Sequence, residues 1–418
     1  MMRSMRNLFL AGMLALAACA APAVESGGAP RLADPQATVE TRALFVNLKR
    51  LAEDRVLFGH QNTLAYGFNW RGEPGRSDVR EVAGAYPAVY GWDVAHLFRR
   101  GEPDTPSPEG AAELRRWILE GFGRGGVITL SWHMPNPLTD TDSWDTKRVV
   151  YAMLPGGYLH DDYKAKLDVV ADFLNGLRTE DGTRVPVFFR PFHEHTGSWF
   201  WWGRDHTTVD EFKGLWRFTV QYLRDEKGVR NALYAYSSDV FDSEEAYLER
   251  YPGDDVIDML GFDDYWSVKT AATRPVFVNR LRMLSKMARE RGKLAALTET
   301  GVEAIPDPNW WTGVLLPALK APEVGGGISY VLVWRNANNV TDRPNHYYAP
   351  YPGHPSAPDF VRFKEDPSVL FEDELHVDLD LGRHVGGGLA RPDHVLGDRA
   401  ARGGGRDDPV RDVLVAAR

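Results

Sequence analysis

The chain reads as an α/β protein, a (β/α)8 TIM barrel forming a single catalytic domain, and three observations predict it. Short apolar strands alternate with amphipathic helices along the chain. The alternation recurs often enough, over roughly 300 residues, to close a parallel barrel rather than leave an open doubly wound sheet. Polar and aromatic residues gather at one end of nearly every strand. No glycine-rich phosphate fingerprint follows the first strand, which counts against a dinucleotide-binding fold.

The predicted strands, in order, are Val56-Leu-Phe-Gly59, Ala88-Val-Tyr-Gly-Trp92, Gly126-Val-Ile-Thr-Leu130, Val185 to Phe189, Ala232 to Tyr236, Val256 to Phe262, Leu294-Ala-Ala-Leu297 and Ser329 to Val333. Between them Gly110 to Phe122, Tyr163 to Leu177, Thr208 to Leu223, Phe277 to Arg289 and Asn309 to Leu319 repeat apolar residues at spacings of three and four, the period of a helix with one buried face. The strands are followed in turn by His60-Gln61, Asp93, Trp132-His133, Arg190 to Glu194, Ser237-Ser-Asp239, Asp263-Asp-Tyr265, Thr298-Glu299 and Trp334-Arg-Asn336. In a barrel these ends converge on one mouth, the face that carries the active site in this fold.

The ends of the chain differ from its middle. Met1 to Arg6 carries two arginines, Leu8 to Ala18 is apolar, and Leu16-Ala-Ala-Cys19 follows, as in a processed export signal (residues 1–19). Cys19 is the only cysteine, so no internal disulfide forms, and its position resembles a bacterial lipobox in which the cysteine is lipidated. An ordinary signal peptide with an incidental cysteine is the plainer alternative. The apolar run is too short to span a bilayer. Residues 20–36, rich in Ala, Gly and Pro, read as a flexible linker, 37–376 as the barrel, and 377–418, rich in Gly, Arg and Asp, as a disordered tail. These features place the protein in the cell envelope or outer membrane, tethered by lipid, or otherwise in the periplasm or medium.

Composition narrows the partners. With 43% hydrophobic and 11% aromatic residues the chain can bury a large core, and a formal charge of −9 disfavours a general nucleic-acid binder. A neutral polymer is an acceptable partner, and a monomer is expected.

The most informative stretch is Arg190-Pro-Phe-His-Glu-His-Thr-Gly-Ser-Trp-Phe-Trp-Trp-Gly203, which puts a glutamate at the end of an apolar strand among large aromatics. A carboxyl among indole rings loses hydration of its charged form, so its pKa rises and it suits a general acid. An aromatic cluster is more often core, and a lone glutamate after a strand is usually solvated. The crowding of Arg, His, Glu and Trp here favours a site. Glycoside hydrolysis needs a second carboxylate. Glu299 supplies it, with Gly301 allowing the backbone to turn away, and Glu303 is a rival on the loop beyond. In an eight-stranded ring the fourth and seventh strands face each other across the mouth, which suits the short carboxylate gap of a retaining enzyme.

Tyr265 can donate its hydroxyl to Glu299, and His133 and His193 can fix substrate hydroxyls or the Glu194 carboxyl. Trp199, Trp201, Trp202, Trp266 and Trp334 offer flat faces for pyranose rings, although two of them fit equally well as packing anchors. A metal site built from His60, His133, His193, His195, Asp263 and Asp264 lacks the helical His-Glu-x-x-His spacing. No Gly-x-Ser-x-Gly elbow is present.

Taken together, Phe58-Gly-His-Gln61, Tyr90-Gly-Trp-Asp93, Ser131-Trp-His133, Arg190 to Gly203, Gly261-Phe-Asp-Asp-Tyr265, Thr298-Glu-Thr-Gly301 and Val333-Trp-Arg-Asn336 resemble glycoside hydrolase family 26, over roughly Ala37 to Leu370. Its best-known members are endo-β-1,4-mannanases. The resemblance implies Glu194 as acid/base, Glu299 as nucleophile and Tyr265 as the partner that orients the nucleophile. It implies His133, His193, Trp199 and Trp334 as groups of the central subsites. Arg190, Asp264 and Trp266, which stand within or beside the matching motifs, join them as candidate substrate-binding residues. It needs no cofactor, and the expected partner is β-mannan or a manno-oligosaccharide. Members that cut mixed-linkage glucan or β-1,3-xylan keep the substrate open. A noncatalytic glycan-binding lipoprotein is the reading from another class, and retention of both glutamates argues against it.

Overall fold

In the computed structural model, residues 31–378 apart from 340 and 342 are described. The expected export signal, Cys19, most of the linker and nearly all of the tail lie outside the described residues. Eight parallel strands form the sheet: β1 (Val56–Gln61), β2 (Val89–Asp93), β3 (Val127–Trp132), β4 (Val187–Pro191), β5 (Ala232–Ser238), β6 (Met259–Asp264), β7 (Leu294–Thr300) and β8 (Ile328–Val333). Each pairs with its sequence neighbour, and β8 pairs back onto β1 in the register Gly59↔Leu332, so the sheet closes into the expected (β/α)8 barrel. A short strand, Val369–Leu370, adds in parallel to the start of β1.

The strands run further than the apolar pattern indicates. Those that extend past their predicted ends take in polar and aromatic residues expected to follow them: Gln61, Asp93, Trp132, Ser238, Asp264 and Glu299 all lie in strands and are buried. Polarity failed as a stop signal because the mouth buries its polar side chains against one another. In the other direction, Val256 closes a short 3₁₀ turn and does not belong to β6.

The outer helices follow the pattern of caps and apolar faces. Helix α1 (Val39–Leu51) starts at Thr38, whose side chain accepts from the Thr41 amide. Helix α2 (Pro108–Gly123) starts at Ser107 with proline in its first turn. Helices α3 (His160–Asn175), α4 (Val209–Gln221) and α5 (Arg274–Arg291) follow β3, β4 and β6, and a reciprocal capping box of Thr208 and Glu211 fixes the start of α4. Ordered packing begins before the predicted boundary at Ala37. Leu32 and Ala33 are buried, and the Ala33 amide donates to Asp258 at 2.7 Å, so residues 32–36 belong to the folded unit rather than to a linker. Among the described residues no helix is long and apolar enough to cross a membrane.

Candidate active site

Beyond β4 the backbone bends sharply. Phe192 and Glu194 adopt left-handed φ angles of 52° and 53°, conformations that cost side-chain-bearing residues about 1 kcal/mol or more. Surrounding bonds hold the bend: the Glu194 amide donates to the Ser237 carbonyl at the end of β5 (3.0 Å), and the Trp202 indole donates to the His193 carbonyl (2.7 Å). The bend turns the Glu194 carboxyl into the mouth, where the Trp199 indole N–H donates to its Oε2 at 2.6 Å. Trp199 reaches it because residue 197 is glycine. A Cβ there would meet the indole ring at 2.3 Å.

Glu299 arrives from β7. A register shift between β6 and β7 pairs Phe262 with Leu297 and then Asp263 with Glu299, leaving Thr298 as the extra residue. Bulges of this kind re-aim side chains beside active sites. The shift sets the Asp263 and Glu299 carboxylates side by side. Arg190 donates from Nη1 to Asp263 Oδ2 at 2.9 Å and from Nη2 to Glu299 Oε1. Tyr265 donates its hydroxyl to Glu299 Oε2 at 3.0 Å. Beyond Glu299, Gly301 has a φ of 129°, and a Cβ there would press on the Tyr348 ring at 2.8 Å.

Among the described residues, Glu194, Asp263 and Glu299 form one carboxylate group, with an oxygen of each within 4.8 Å of the others. The Arg190 guanidinium is bonded to both Asp263 and Glu299 and supplies the positive charge beside the pair. The histidines considered as metal ligands do not join them. His195 is fully buried between Phe212 and Tyr236, with both ring centroids 4.5 Å away, outside the mouth.

The two glutamates have different environments. Burial and the negative charges of Asp263, Glu299 and Asp239 push the Glu194 carboxyl well above the usual carboxylate range, against the single opposing bond from Trp199. Glu299 takes a guanidinium and a phenol instead. Burial and the Glu299 charge raise Tyr265 well above an ordinary phenol, so it stays a donor. Burial opposes the charge on Arg190, but Asp263 and Glu299 hold it on.

A second polar line backs the mouth. Burial pushes Asp93 up, yet His133 and three further donors hold it below the usual range: its Oδ2 meets His133 Nδ1 at 2.6 Å, and Ser131 Oγ and the backbone amides of Ala95 and His133 also donate to it. His133 Nε2 lies 3.2 Å from His193 Nε2. Burial, and then Arg190, push His193 well below an ordinary imidazole, so it is uncharged. Trp144 stacks on His133 (5.6 Å between centroids) and Trp334 lies 6.1 Å from it. A cavity of about 330 Å³ continues from His133, lined by Phe98, Arg99, Pro135, Asp142 and Trp144 among others.

The mouth therefore brings together Glu194, Glu299, Tyr265, Arg190, His133, His193, Trp199 and Trp334. Two candidate substrate-binding residues, Asp264 and Arg190, stand differently from the expectation. Asp264 is fully buried; it accepts from the amides of Trp266 and Ser267, the Ser267 hydroxyl and Arg280, and so braces the Tyr265 loop instead of lining the cleft. Arg190, 2% exposed, lies beneath the carboxylates and is committed to them. Trp266 is 40% exposed with the Lys269 ammonium 4.9 Å over its ring. Trp201 and Trp202 are the packing anchors, fully buried. Glu303 bonds His346 at 2.9 Å on the outer loop. Sequence reasoning does not single out Asp93 or Trp144 as site residues, and it weighs Asp263 only as a metal ligand. Asp93 and Asp263 were visible as polar strand ends, and Trp144 carried no signal.

A sequence model of Glycosyl hydrolase family 26 matches residues 33–311. The chain belongs to this family. A mannan endo-1,4-β-mannosidase of Bifidobacterium adolescentis is 40% identical over 301 residues, covering 69% of this chain and 30% of that relative's length. The family 26 β-mannanase structure from Bacteroides ovatus superposes with a TM-score of 0.74 at 47% identity, covering 81% of this chain and 96% of that one. A modular endo-β-1,4-mannanase from Cellulomonas fimi gives 0.76 at 37% identity, covering 84% and 79%. The chain thus spans less than a third of its Bifidobacterium relative but nearly all of the Bacteroides structure.

Proposed function

We propose that this family 26 enzyme is a retaining endo-β-1,4-mannanase, acting on mannan, galactomannan or glucomannan by double displacement. The observation that carries the reading is the pair of glutamates in opposite environments with carboxylate oxygens within 4.8 Å. A retaining pair stands about 5–5.5 Å apart, whereas an inverting pair leaves room for a water. Glu299, held by Arg190 and Tyr265, attacks the anomeric carbon. Glu194 gives its proton to the departing glycosidic oxygen. A covalent glycosyl ester forms on Glu299, and Glu194, now ionised, takes a proton from the water that cleaves it. The mannanase names of the relatives support the substrate.

The nucleophile comes from β7, so the leaving sugar departs toward the opposite wall, where β3 and its neighbours end. The cavity beside His133 lies there, between the loops after β2 and β3. A cleft that continues past the reacting bond fits cleavage within a chain. His133, His193, Trp199 and Trp334 are read as the groups that meet the central sugars. We also infer export with a lipid on Cys19, and a monomer. Membrane fractionation of the wild type beside Cys19→Ala, with light scattering of the soluble form, tests both.

The decisive experiment is reducing-sugar release from galactomannan, xylan and mixed-linkage glucan by the mature enzyme and by Glu299→Ala. Mannan-selective release that disappears in the variant is the expected result. Release from another polymer reassigns the substrate, and binding without release from any of them favours a glycan-binding protein.

A further inference from the structure

Three carboxyl groups crowd the mouth and one cation serves them. The groups acting on Glu194 are Trp199 from the following loop, Asp239 after β5, Asp263 and Tyr265 from the end of β6, and Glu299 from β7, while Arg190 and His193 near the end of β4 stand against Asp263 and Glu299 and against His133. His193 is uncharged and Tyr265 keeps its proton. Arg190 is therefore the positive charge of this set, and it is spent on Asp263 and Glu299.

Hydrogen-bond donors are divided as unevenly as charge. Glu299 has Arg190 and Tyr265. Asp263 has Arg190 on Oδ2, and the Ser237 and Thr298 hydroxyls at 3.0 and 2.7 Å from Oδ1; burial and the Glu299 charge push its carboxyl up to about 7, and Arg190 and the two hydroxyls oppose that rise. Glu194 has the Trp199 indole alone among these groups. An ionised carboxylate is stabilised by donors and destabilised by like charge, so of the three it is Glu194 that holds a proton.

We propose that Asp263 is a positioning residue of the reaction, whose negative charge, held by a guanidinium and two hydroxyls, keeps the acid proton on Glu194 and whose share of Arg190 sets that guanidinium against Glu299. The inference rests on the catalytic reading above and deepens it. The β6–β7 register shift gains a purpose: without the extra residue Thr298, Asp263 would not face Glu299, and the Thr298 hydroxyl would not reach Asp263.

The sign of the effect follows. Glycosylation requires protonated Glu194, so kcat/KM falls as pH rises through its ionisation. In Asp263→Asn the repelling charge is gone and Arg190 is less neutralised, and both changes make Glu194 easier to ionise. The basic limb of kcat/KM for mannotetraose should move to lower pH by about one unit or more. With a dinitrophenyl β-mannobioside, whose leaving group needs no proton, the same variant should show no such displacement. An equal loss at every pH with the limb in place, for both substrates, would make Asp263 a structural residue and overturn the proposal. Wild-type enzyme that cleaves no mannan would instead remove the catalytic reading itself.

Breaking a buried ion pair can prevent folding, so a second measurement does without this variant. Infrared difference spectra at neutral pH should contain a protonated carboxyl band that disappears in Glu194→Gln. Persistence of the band in Glu194→Gln would put the proton on another carboxyl of the cluster and contradict the proposal.

Discussion

Strand β6 has a buried aspartate at each end, and the two are satisfied by different means. At the base, Asp258 accepts from the backbone amides of Ala33 and Tyr234 at 2.7 and 2.8 Å, and burial raises it to about 6. At the mouth, Asp263 is met by a guanidinium and two hydroxyls from three other strands. Asp258 pins the entering chain to the barrel floor with neutral donors fixed by the fold. Asp263 sits in a charged network that stays in place only while several side chains hold their positions. The base spends its polar groups on stability, and the mouth spends them on setting the protonation of its neighbours.

Substitutions can sharpen or break this contrast. The largest effect is expected for Glu299→Ala, which should lower kcat by at least on the order of 10⁴-fold, with calorimetry still showing a cooperative melt. Glu194→Gln should cost about 10²- to 10⁴-fold on mannan and abolish the basic limb of kcat/KM, because the group whose raised pKa places that limb no longer titrates. Asp258→Ala reverses the pattern. It orphans two buried amides and should cost about 2–4 kcal/mol in urea unfolding, with the activity of the folded fraction retained. The smallest effect belongs to Gly197→Ala, which displaces Trp199 from Glu194 and should lower kcat/KM roughly tenfold. If Asp258→Ala spared stability and abolished turnover, the division between base and mouth would be wrong.

Much of this was legible in the sequence. Each strand appears as an apolar run, and apolar periodicity places the helix that Thr208 caps at its start, while the Ser107 cap lies ahead of the Gly110 start that periodicity gives. Glu194 stands out because aromatics crowd it in the chain as they do in space. What stayed hidden depends on register and side-chain direction. Asp263 and Asp264 are neighbours in sequence, yet one enters the carboxylate group and the other bonds Ser267 and Arg280, because successive residues of a strand point to opposite faces. Which of the two meets Glu299 is fixed by the shift at Thr298, which has no composition signature. Trp144 reaches His133 from a long loop whose path follows from bonds such as Asn136 Nδ2 to the carbonyls of Asp145 and Lys147, both 2.7 Å. The start of the packed unit at Leu32 was missed because an alanine- and proline-rich segment reads as a tether until its amide finds Asp258.

The most direct test of the central claim is to trap the intermediate. A 2-deoxy-2-fluoro-β-mannosyl fluoride should inactivate the enzyme in step with turnover, and mass spectrometry of the digested protein should place one fluoromannosyl group on Glu299. No covalent adduct, together with an α-configured first product by proton NMR, would mean inversion through water and would contradict the assignment of Glu299 as nucleophile.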